Sequence, residues 1–214
     1  MNFQIYKTIL KNKVFDLIGK TSLPRTQLNQ WLRTINIKAD RVLEVGAGSN
    51  PVINKVKSWN VGNYKTFDNN LQGDCNPDFR IDLNHLENKG TTIKNVIKYS
   101  PNIIFCLEVM EYIYKPYSVL RFFHDALAKN GVLYISFHTI YPVHEPYKYD
   151  SLRYTKWGII NLLKDAGFKK WKIASRDATE GKDSLVSFYK KEKMWALKKS
   201  DLITDTGYLV KAFK

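Results

Sequence analysis

Two stretches at the start of the chain repeat apolar side chains at helical spacing. Residues 3–18 carry one every three or four positions, which predicts an amphipathic helix. A second helix is predicted after Thr21 or Ser22, either of which provides a cap, with Pro24 in its first turn. We expect the two helices to form a brace or lid, assigned to residues 1–38.

From residue 41 onwards, short apolar runs alternate with helical patterns. Strands are predicted at 41–45, 64–68, 79–83, 103–109 and 131–137. Helices are predicted at 91–99, 115–131 and 155–168, with a short one near Pro51. Apolar strands bounded by helices are typical of a parallel sheet covered on both faces, which indicates an α/β fold.

Two more apolar segments follow the last of these helices. Residues 171–175 and 184–190 predict an antiparallel hairpin that turns around Gly181. This hairpin closes the sheet domain, assigned to residues 39–190, and leaves residues 191–214 as a basic C-terminal extension.

The composition is that of a folded globular domain. The chain has 214 residues, of which 44% are hydrophobic and 25% charged, enough to build one core. Its longest apolar runs are about five residues, far below the roughly 20 that cross a membrane. Lysines interrupt the N-terminus before a signal-peptide core can form, so we expect a cytoplasmic protein.

The two cysteines carry no metal or disulfide signal. Cys75 and Cys106 have neither the spacing of a zinc site nor that of a disulfide framework. Cys106 lies in an apolar run and is expected to be a buried thiol. We therefore expect no metal ion and favour a reducing compartment.

The formal charge of +14 is concentrated towards the ends of the chain. Residues 1–41 carry eight Lys and Arg against two acids, and residues 190–214 carry seven against three. Basic flanks attract phosphate groups, which keeps nucleic acid open as an alternative partner. Alternatively, the excess of Lys and Arg over acids in the flanks reflects only a lysine-rich solvated surface.

The sequence RVLEVGAGSNP (41–51) joins a strand to two glycines and a proline. Gly46 and Gly48 lack a Cβ atom, so they allow a tight turn and let backbone amides approach a ligand. In an open α/β sheet, ligands bind beyond the carboxyl ends of the strands, where the strand order reverses. We therefore predict that the glycine turn binds a nucleotide-bearing small molecule.

Three acidic residues lie at the ends of the predicted strands. Asp68 ends the second strand, 22 residues after Gly46, where a carboxylate accepts hydrogen bonds from both ribose hydroxyls. Asp82 ends the third strand and could accept from an adenine amino group, although it also fits an ordinary helix cap. Glu44, inside the end of the first strand, is a candidate to order a ligand's ammonium group.

Two familiar nucleotide-binding motifs are absent from the sequence. The third glycine of GxGxxG falls on Pro51, whose ring would obstruct the close helix–strand packing that this glycine serves. Pro51 instead suits the first turn of a helix. The chain also lacks GxxxxGK[ST], which excludes a phosphate-loop NTPase at the motif level.

Several segments in this order match a known family. VLEVGAGSNP followed by TFDNN, RIDLN, LEVMEY and GVLYISF resembles the class I S-adenosylmethionine-dependent methyltransferases, over residues 41–190. The resemblance implies a three-layer α/β/α, Rossmann-like doubly wound sheet of seven mostly parallel strands with an antiparallel terminal strand. It also implies S-adenosylmethionine as the cofactor and S-adenosylhomocysteine as its product.

The resemblance assigns the cofactor to residues that follow the first three strands. These residues are Glu44, Gly46, Ala47, Gly48, Asp68, Asn69, Asp82 and Leu83. The glycine turn would line the methionine part, with Glu44 beneath it, while the second strand end holds the ribose and the third borders the adenine. Glu108, after the fourth strand, is expected to be either a cofactor neighbour or a structural hydrogen-bond partner. Many relatives carry histidine where this chain has Tyr112.

The segment FHTIYPVHEPYKYDSLRYT (137–155) follows the fifth strand and is expected to hang over the rim of the site. It resembles an H–P–D–R–T loop found in a branch of these methyltransferases near glycan and small-metabolite modification. His144 or His138 is the candidate general base, and Asp150 and Arg153 are candidates to position the acceptor. Alternatively, Asp150 and Arg153 pair with each other and brace the loop.

Three functions remain open at this level. The aromatic and polar rim favours methylation of a hydroxyl on a small molecule or glycan. The basic flanks favour an RNA or DNA methyltransferase, although LEVMEY stands where base-amino methyltransferases carry [ND]PP[YF]. A non-catalytic binding protein of the same fold is the third, and the glycine turn with its acids argues against it.

Overall fold

The computed structural model describes residues 22–69, 76–88, 90–143, 145–177, 187, 190–191 and 205–214. The helix predicted at 3–18 and the candidate base His144 lie outside these residues. The helices are α1 (Leu23–Leu32), α2 (Gly90–Tyr99), α3 (Pro116–Ala126) and α4 (Lys156–Asp165). The strands are β1 (Asn36–Val45), β2 (Ser58–Asp68), β3 (Phe79–Arg80), β4 (Ile103–Cys106), β5 (Val132–His138), β6 (Lys170–Asp177) and β7 (Asp205–Phe213). Short 3₁₀ helices occupy Val52–Asn54, Leu83–Asn88 and Met110–Tyr112.

Local sequence explains where the helices begin. Pro24 lies in the first turn of α1 and Pro116 in the first turn of α3, where a missing backbone N–H costs nothing. Thr155 caps α4, and its hydroxyl accepts a hydrogen bond from the backbone N–H of Gly158 at 3.1 Å. Each of these helices was predicted to within a few residues, except that α3 ends five residues early.

The seven strands form one sheet in the order β3-β2-β1-β4-β5-β7-β6. Neighbouring strands are parallel except at β7, which runs antiparallel to both β5 and β6. This order confirms the predicted mostly parallel, doubly wound fold. Because β2 and β4 flank β1 on opposite sides, the strand order reverses at β1, the place where such sheets bind ligands.

The prediction for the last strand was wrong in position. β6 pairs with β7, with Lys170 opposite Phe213, whereas residues 187 and 190, the described part of the predicted 184–190 strand, are helical. β7 therefore lies inside the range 191–214 that the sequence assigned to an extension. Both segments are short apolar runs, and strand pairing across a long connection leaves no local trace in the sequence.

Side chains of the central strands alternate between two cores. Leu43 and Ile104 point to the face covered by α2, α3 and α4, while Val42 and Phe105 point to the opposite face. The second face is covered by α1, through its buried residues Leu28 and Leu32 among others. No described helix has the length and apolar character needed to cross a membrane.

Candidate functional site

The glycine turn follows β1 and has the left-handed backbone that glycine permits. Gly46 has φ +71° and Gly48 has φ +48°. The N–H of Gly46 donates to the carbonyl oxygen of Phe67 at 2.9 Å, which holds the turn against β2. Gly46 is exposed, and a Cβ atom added there would overlap the side chain of Val109. Main chain is therefore accessible at this position, as the sequence predicted.

A cavity of about 260 Å³ lies beside the turn, beyond the carboxyl ends of β1 to β4. We call it the acid-lined cavity. Its lining comes from the turn, from the loops after β2, β3 and β4, and from the rim loop. The lining residues are Val45, Gly46, Gly48, Phe67, Asp68, Asn69, Ile81, Asp82, Leu83, Asn84, Glu108, Val109, Tyr112, Ile113, Pro146 and Tyr149. The fold thus brings together seven of the nine cofactor residues expected from the sequence, all but Glu44 and Ala47.

The two aspartates of this cavity differ in their contacts. One carboxylate oxygen of Asp68 lies 3.4 Å from the N–H of Gly48, so the second strand end is tied to the turn. Asp82 accepts a hydrogen bond from the N–H of Asn84 at 2.9 Å, which makes it a local cap as well as a lining residue. Its side chain stays 41% exposed, so the capping contact leaves the carboxylate accessible to a ligand.

The carboxylate of Glu44 accepts hydrogen bonds from other groups of the protein. Both of its carboxylate oxygens accept from the N–H of Val52 at 3.0 Å, and the hydroxyl of Tyr64 donates to it as well. Burial raises the pKa of Glu44 despite these hydrogen bonds and the nearby charge of Lys55. Its carboxylate therefore fixes the 3₁₀ helix that follows the glycine turn.

A second cavity, of about 430 Å³, lies on the α1 side of the glycine turn. We call it the basic cavity, because three cationic side chains line it. The lining residues are Arg25, Leu28, Asn29, Leu32, Arg33, Glu44, Gly46, Ala47, Gly48, Ser49, Asn50, Val52, Asn54, Lys55, Leu107 and Glu108. Gly46, Gly48 and Glu108 line both cavities, so the turn is the wall between them.

Glu108 lies at the centre of a buried charge network. It has φ +57°, and its carboxylate accepts two hydrogen bonds from Arg176, at 2.8 and 3.2 Å, and one from Ser136 at 2.8 Å. The backbone N–H of Glu108 in turn donates to Ser136 at 2.7 Å. Burial opposes ionisation, but hydrogen bonds from His138 and Arg176 outweigh it and hold the pKa of Glu108 well below its ordinary value.

His138 is part of the same network. Its Nε2 lies 3.4 Å from a carboxylate oxygen of Glu108 and 3.2 Å from one of Glu111, and its side chain is 1% exposed. Burial lowers the pKa of His138, yet the hydrogen bonds and charges of both carboxylates raise it to about 9. Tyr141 stacks on the ring at 4.2 Å between centroids. At neutral pH this imidazole is protonated, which does not suit a general base.

The rim loop is braced by Arg153. Its guanidinium binds both carboxylate oxygens of Asp150, at 2.5 and 2.7 Å, and donates to the carbonyl oxygens of Tyr141 and Pro142. The side chain of Asp150 is fully buried. These contacts favour the alternative in which the pair supports the loop. Tyr112 adds an anchor, because its hydroxyl donates to the carbonyl oxygen of Glu145 at 3.0 Å.

Three residues of the site were missed at the sequence level. Arg176 clamps Glu108 from 68 residues away, and no local pattern links the two. Tyr64 bonds to Glu44 across the β1–β2 pair, which register alone could have located. Asn84 joins two loops, since its amide donates to the carbonyl oxygen of Tyr112 and accepts from a backbone N–H. Within the described part of the chain, no cluster of His, Cys, Asp and Glu is arranged to hold a metal ion.

Comparison with known proteins agrees with this geometry. The family model described as a methyltransferase domain matches residues 21–173, most of the chain. The chain belongs to this family. It is an S-adenosylmethionine-dependent methyltransferase, and S-adenosylmethionine is its cofactor. No curated protein sequence matches it significantly.

Solved structures show the same fold. An S-adenosylmethionine-dependent methyltransferase from Archaeoglobus fulgidus is similar with a TM-score of 0.54 and 14% identity, covering 89% of this chain and 94% of that one. Another, from Mesorhizobium loti, has a TM-score of 0.54 and 14% identity, covering 86% of this chain and 96% of that one. At such identities the likeness establishes the fold and leaves the methyl acceptor open.

Proposed function

We propose that this methyltransferase acts on a hydroxyl group of a small molecule or of a glycan. The observation that carries the proposal is the covered rim of the acid-lined cavity. Pro146 and Tyr149 of the rim loop line the cavity, and the Tyr112 hydroxyl ties the loop down at Glu145. A rim of this kind suits a small acceptor or the end of a glycan chain better than a base within a duplex.

The same proposal gives the cofactor residues their roles. The bare main chain of the glycine turn, including Ala47, would contact the methionine part of the cofactor. Asp68 and Asn69 would bind the ribose hydroxyls, while Asp82 and Leu83 would border the adenine. All of these residues except Ala47, which lines the basic cavity, surround one cavity, and this common position supports their roles. Glu44 and Glu108 would act from beneath, through the shape of the turn and of the loop after β4.

When bound, the cofactor would supply a methyl group already activated on a sulfonium, for transfer to the acceptor oxygen, and its sulfur would keep the electron pair of the broken carbon–sulfur bond. The protein then has to align the acceptor, exclude water and take the hydroxyl proton. We assign the proton to His144, because the other rim histidine, His138, is already protonated between two carboxylates. Asp150 and Arg153 would position the acceptor indirectly, by fixing the rim loop.

Label transfer tests the proposal directly. Purified protein is incubated with S-adenosylmethionine carrying a labelled methyl group and with panels of small hydroxylated metabolites, oligosaccharides, transfer RNA and plasmid DNA. We expect label in an O-methyl product of the first or second panel, identified by mass spectrometry. Label confined to nucleic acid would overturn the assignment.

Two histidine variants test the assignment of the general base. His144→Ala should lower kcat by about 10²-fold or more while leaving the affinity for S-adenosylhomocysteine unchanged. His124→Ala is the matched control, because His124 lies in α3, packs on Phe168 and lines neither cavity. Equal turnover in the two variants would remove His144 from the chemistry.

We also propose that α1 is the described part of an N-terminal brace for this site. Leu28 and Leu32 fix it to the sheet, and Arg25 and Asn29 face the basic cavity. A cytoplasmic location is the matching proposal for the cell, supported by the buried free thiol of Cys106. Recovery of the protein from a secreted fraction would contradict that location.

A further inference from the structure

The basic cavity carries more positive charge than its own walls neutralise. Arg25 and Arg33 are eight residues apart on α1 and at its end, so they lie on one side of the helix. Lys55 faces them from the segment after the glycine turn, where its ammonium donates to the carbonyl oxygen of Asn50 at 2.5 Å. No salt bridge involves any of these three cations within the described residues.

Of the two acids that line this cavity, Glu108 has its charge matched elsewhere, and Glu44 offsets part of the charge of Lys55, which leaves Arg25 and Arg33 without a carboxylate partner among the described residues. Glu44 binds the N–H of Val52 and the hydroxyl of Tyr64, and its carboxylate is buried. Glu108 binds Arg176 through both oxygens. The surface that a ligand would meet is therefore cationic, with asparagine and serine side chains between the charges.

The bound cofactor does not remove this surplus. S-adenosylmethionine carries a sulfonium, an ammonium and one carboxylate, so its own net charge is +1. If its carboxylate met one of the three cations, its two positive groups would still add to the field. The surplus of positive charge has to be met by something else.

We infer that the basic cavity binds an oxyanion, a carboxylate or a phosphate, that the methyl acceptor carries. The inference rests on the proposed function and adds a substrate class to it. Gly46, Gly48 and Glu108 line both cavities, so an anion held by Arg25 and Lys55 anchors its molecule next to the turn where the cofactor binds. Guanidinium and ammonium groups suit both oxyanions.

Small anions test the site without knowledge of the acceptor. Sodium phosphate and sodium acetate are titrated, in separate arms and at constant ionic strength, into ¹⁵N-labelled protein saturated with S-adenosylhomocysteine. We expect saturable amide shifts in α1 and in the turn from Gly46 to Asn50. The stronger arm tells which oxyanion the acceptor carries.

A double variant and a matched control complete the experiment. Arg25→Gln with Lys55→Gln should weaken anion binding by about tenfold or more. Lys38→Gln with Lys57→Gln removes the same charge from exposed positions that line neither cavity and should leave binding unchanged. Equal losses in both double variants would show non-specific attraction and overturn the inference.

Two further outcomes decide against it. Phosphate and acetate that bind the cofactor-free protein but are displaced by S-adenosylhomocysteine would show that the cations serve the cofactor's own carboxylate. Absence of any saturable amide shift in either titration would also overturn the inference. Failure of S-adenosylhomocysteine to bind, measured first by calorimetry, would instead refute the proposed cofactor site and is distinguishable from both.

Discussion

Two halves of one sheet edge carry their charges in opposite ways. After β2 and β3, Asp68 and Asp82 are partly exposed and face a cavity. After β4, Glu108 is largely covered, with its side chain 16% exposed, and it bonds to His138 of β5 and Arg176 of β6, which are buried. The carboxylates of the first half face the place where a ligand would bind, and those of the second half bind other side chains of the protein.

The difference has a physical basis. We call the half around Asp68 and Asp82 the outer half, and the half around Glu108, His138 and Arg176 the inner half. A charge buried without partners costs several kcal/mol, so the inner half is stable only because cations and carboxylates are matched there. A carboxylate that must bind ribose hydroxyls has to stay accessible. We therefore expect substitutions in the inner half to change the free energy of unfolding and substitutions in the outer half to change cofactor affinity.

The largest effect is expected at Arg176. Arg176→Met removes the cation that faces both oxygens of Glu108 and should lower the free energy of unfolding by about 3–5 kcal/mol, measured by urea denaturation. Arg176→Lys should recover part of the loss, because it restores the charge but not the two-point contact. Arg80→Met, at an exposed position of β3, is the control. A fully stable Arg176→Met protein with lost cofactor affinity would reverse the assignment of the two halves.

The pH dependence of stability should reveal His138. Its pKa is raised from 6.5 to about 9 in the folded protein, so its stabilising contribution is complete below pH 6.5 and is lost as the pH rises through 9. The free energy of unfolding should fall over this range by about 1–3 kcal/mol on this account. His138→Gln should flatten that part of the profile. Parallel profiles for the two proteins would show that His138 is not charged in the fold.

A substitution at Gly46 tests whether the main chain of the glycine turn contributes to cofactor affinity. Gly46→Ala forces a Cβ atom onto a residue with φ +71° and against Val109, and should weaken S-adenosylhomocysteine binding by about tenfold or more. Gly90→Ala is the matched control, because a Cβ atom there meets nothing within 4 Å. Calorimetry on both variants decides, and unchanged affinity in Gly46→Ala would refute the glycine-turn site.

Asp68 should give a change that is confined to cofactor affinity. Asp68→Ala is expected to reduce S-adenosylhomocysteine affinity by about 1–3 kcal/mol, the cost of leaving ribose hydroxyls without acceptors. Its free energy of unfolding should stay within about 0.5 kcal/mol of the parent. Asp40→Ala, at an exposed position of β1, should change neither quantity. A stability loss larger than the binding loss would place Asp68 with the inner half.

The outer half was accessible to sequence reasoning, and the inner half was not. Gly46, Asp68 and Asp82 each follow a strand that its apolar pattern marks, so their meeting at one edge follows from the parallel sheet alone. The clamp between Glu108 and Arg176 depends on where β6 lies, three strands away from β4 in the sheet order. Such pairs are set by tertiary packing, which a single sequence does not encode in its spacing.

Local sequence patterns did not locate the last strand, for the same reason. Residues 184–190 and 205–213 have similar apolar runs, and the choice between them depends on the fit between β5 and β6. The early end of α3 also reflects packing, since the N–H of Ala128 donates to the carbonyl oxygen of Pro101 outside the helix. In both cases non-local contacts overrode propensity.

The placement of β7 has a consequence for how the chain comes together during synthesis. A ribosome that has released residues 1–204 has already made β5 and β6, yet neither can bond to the other, because the strand that belongs between them has not emerged. Until then the edge of β5 offers a row of open N–H and carbonyl groups to any neighbouring polypeptide. Premature termination before residue 205 should therefore yield aggregates in preference to a slightly shortened enzyme.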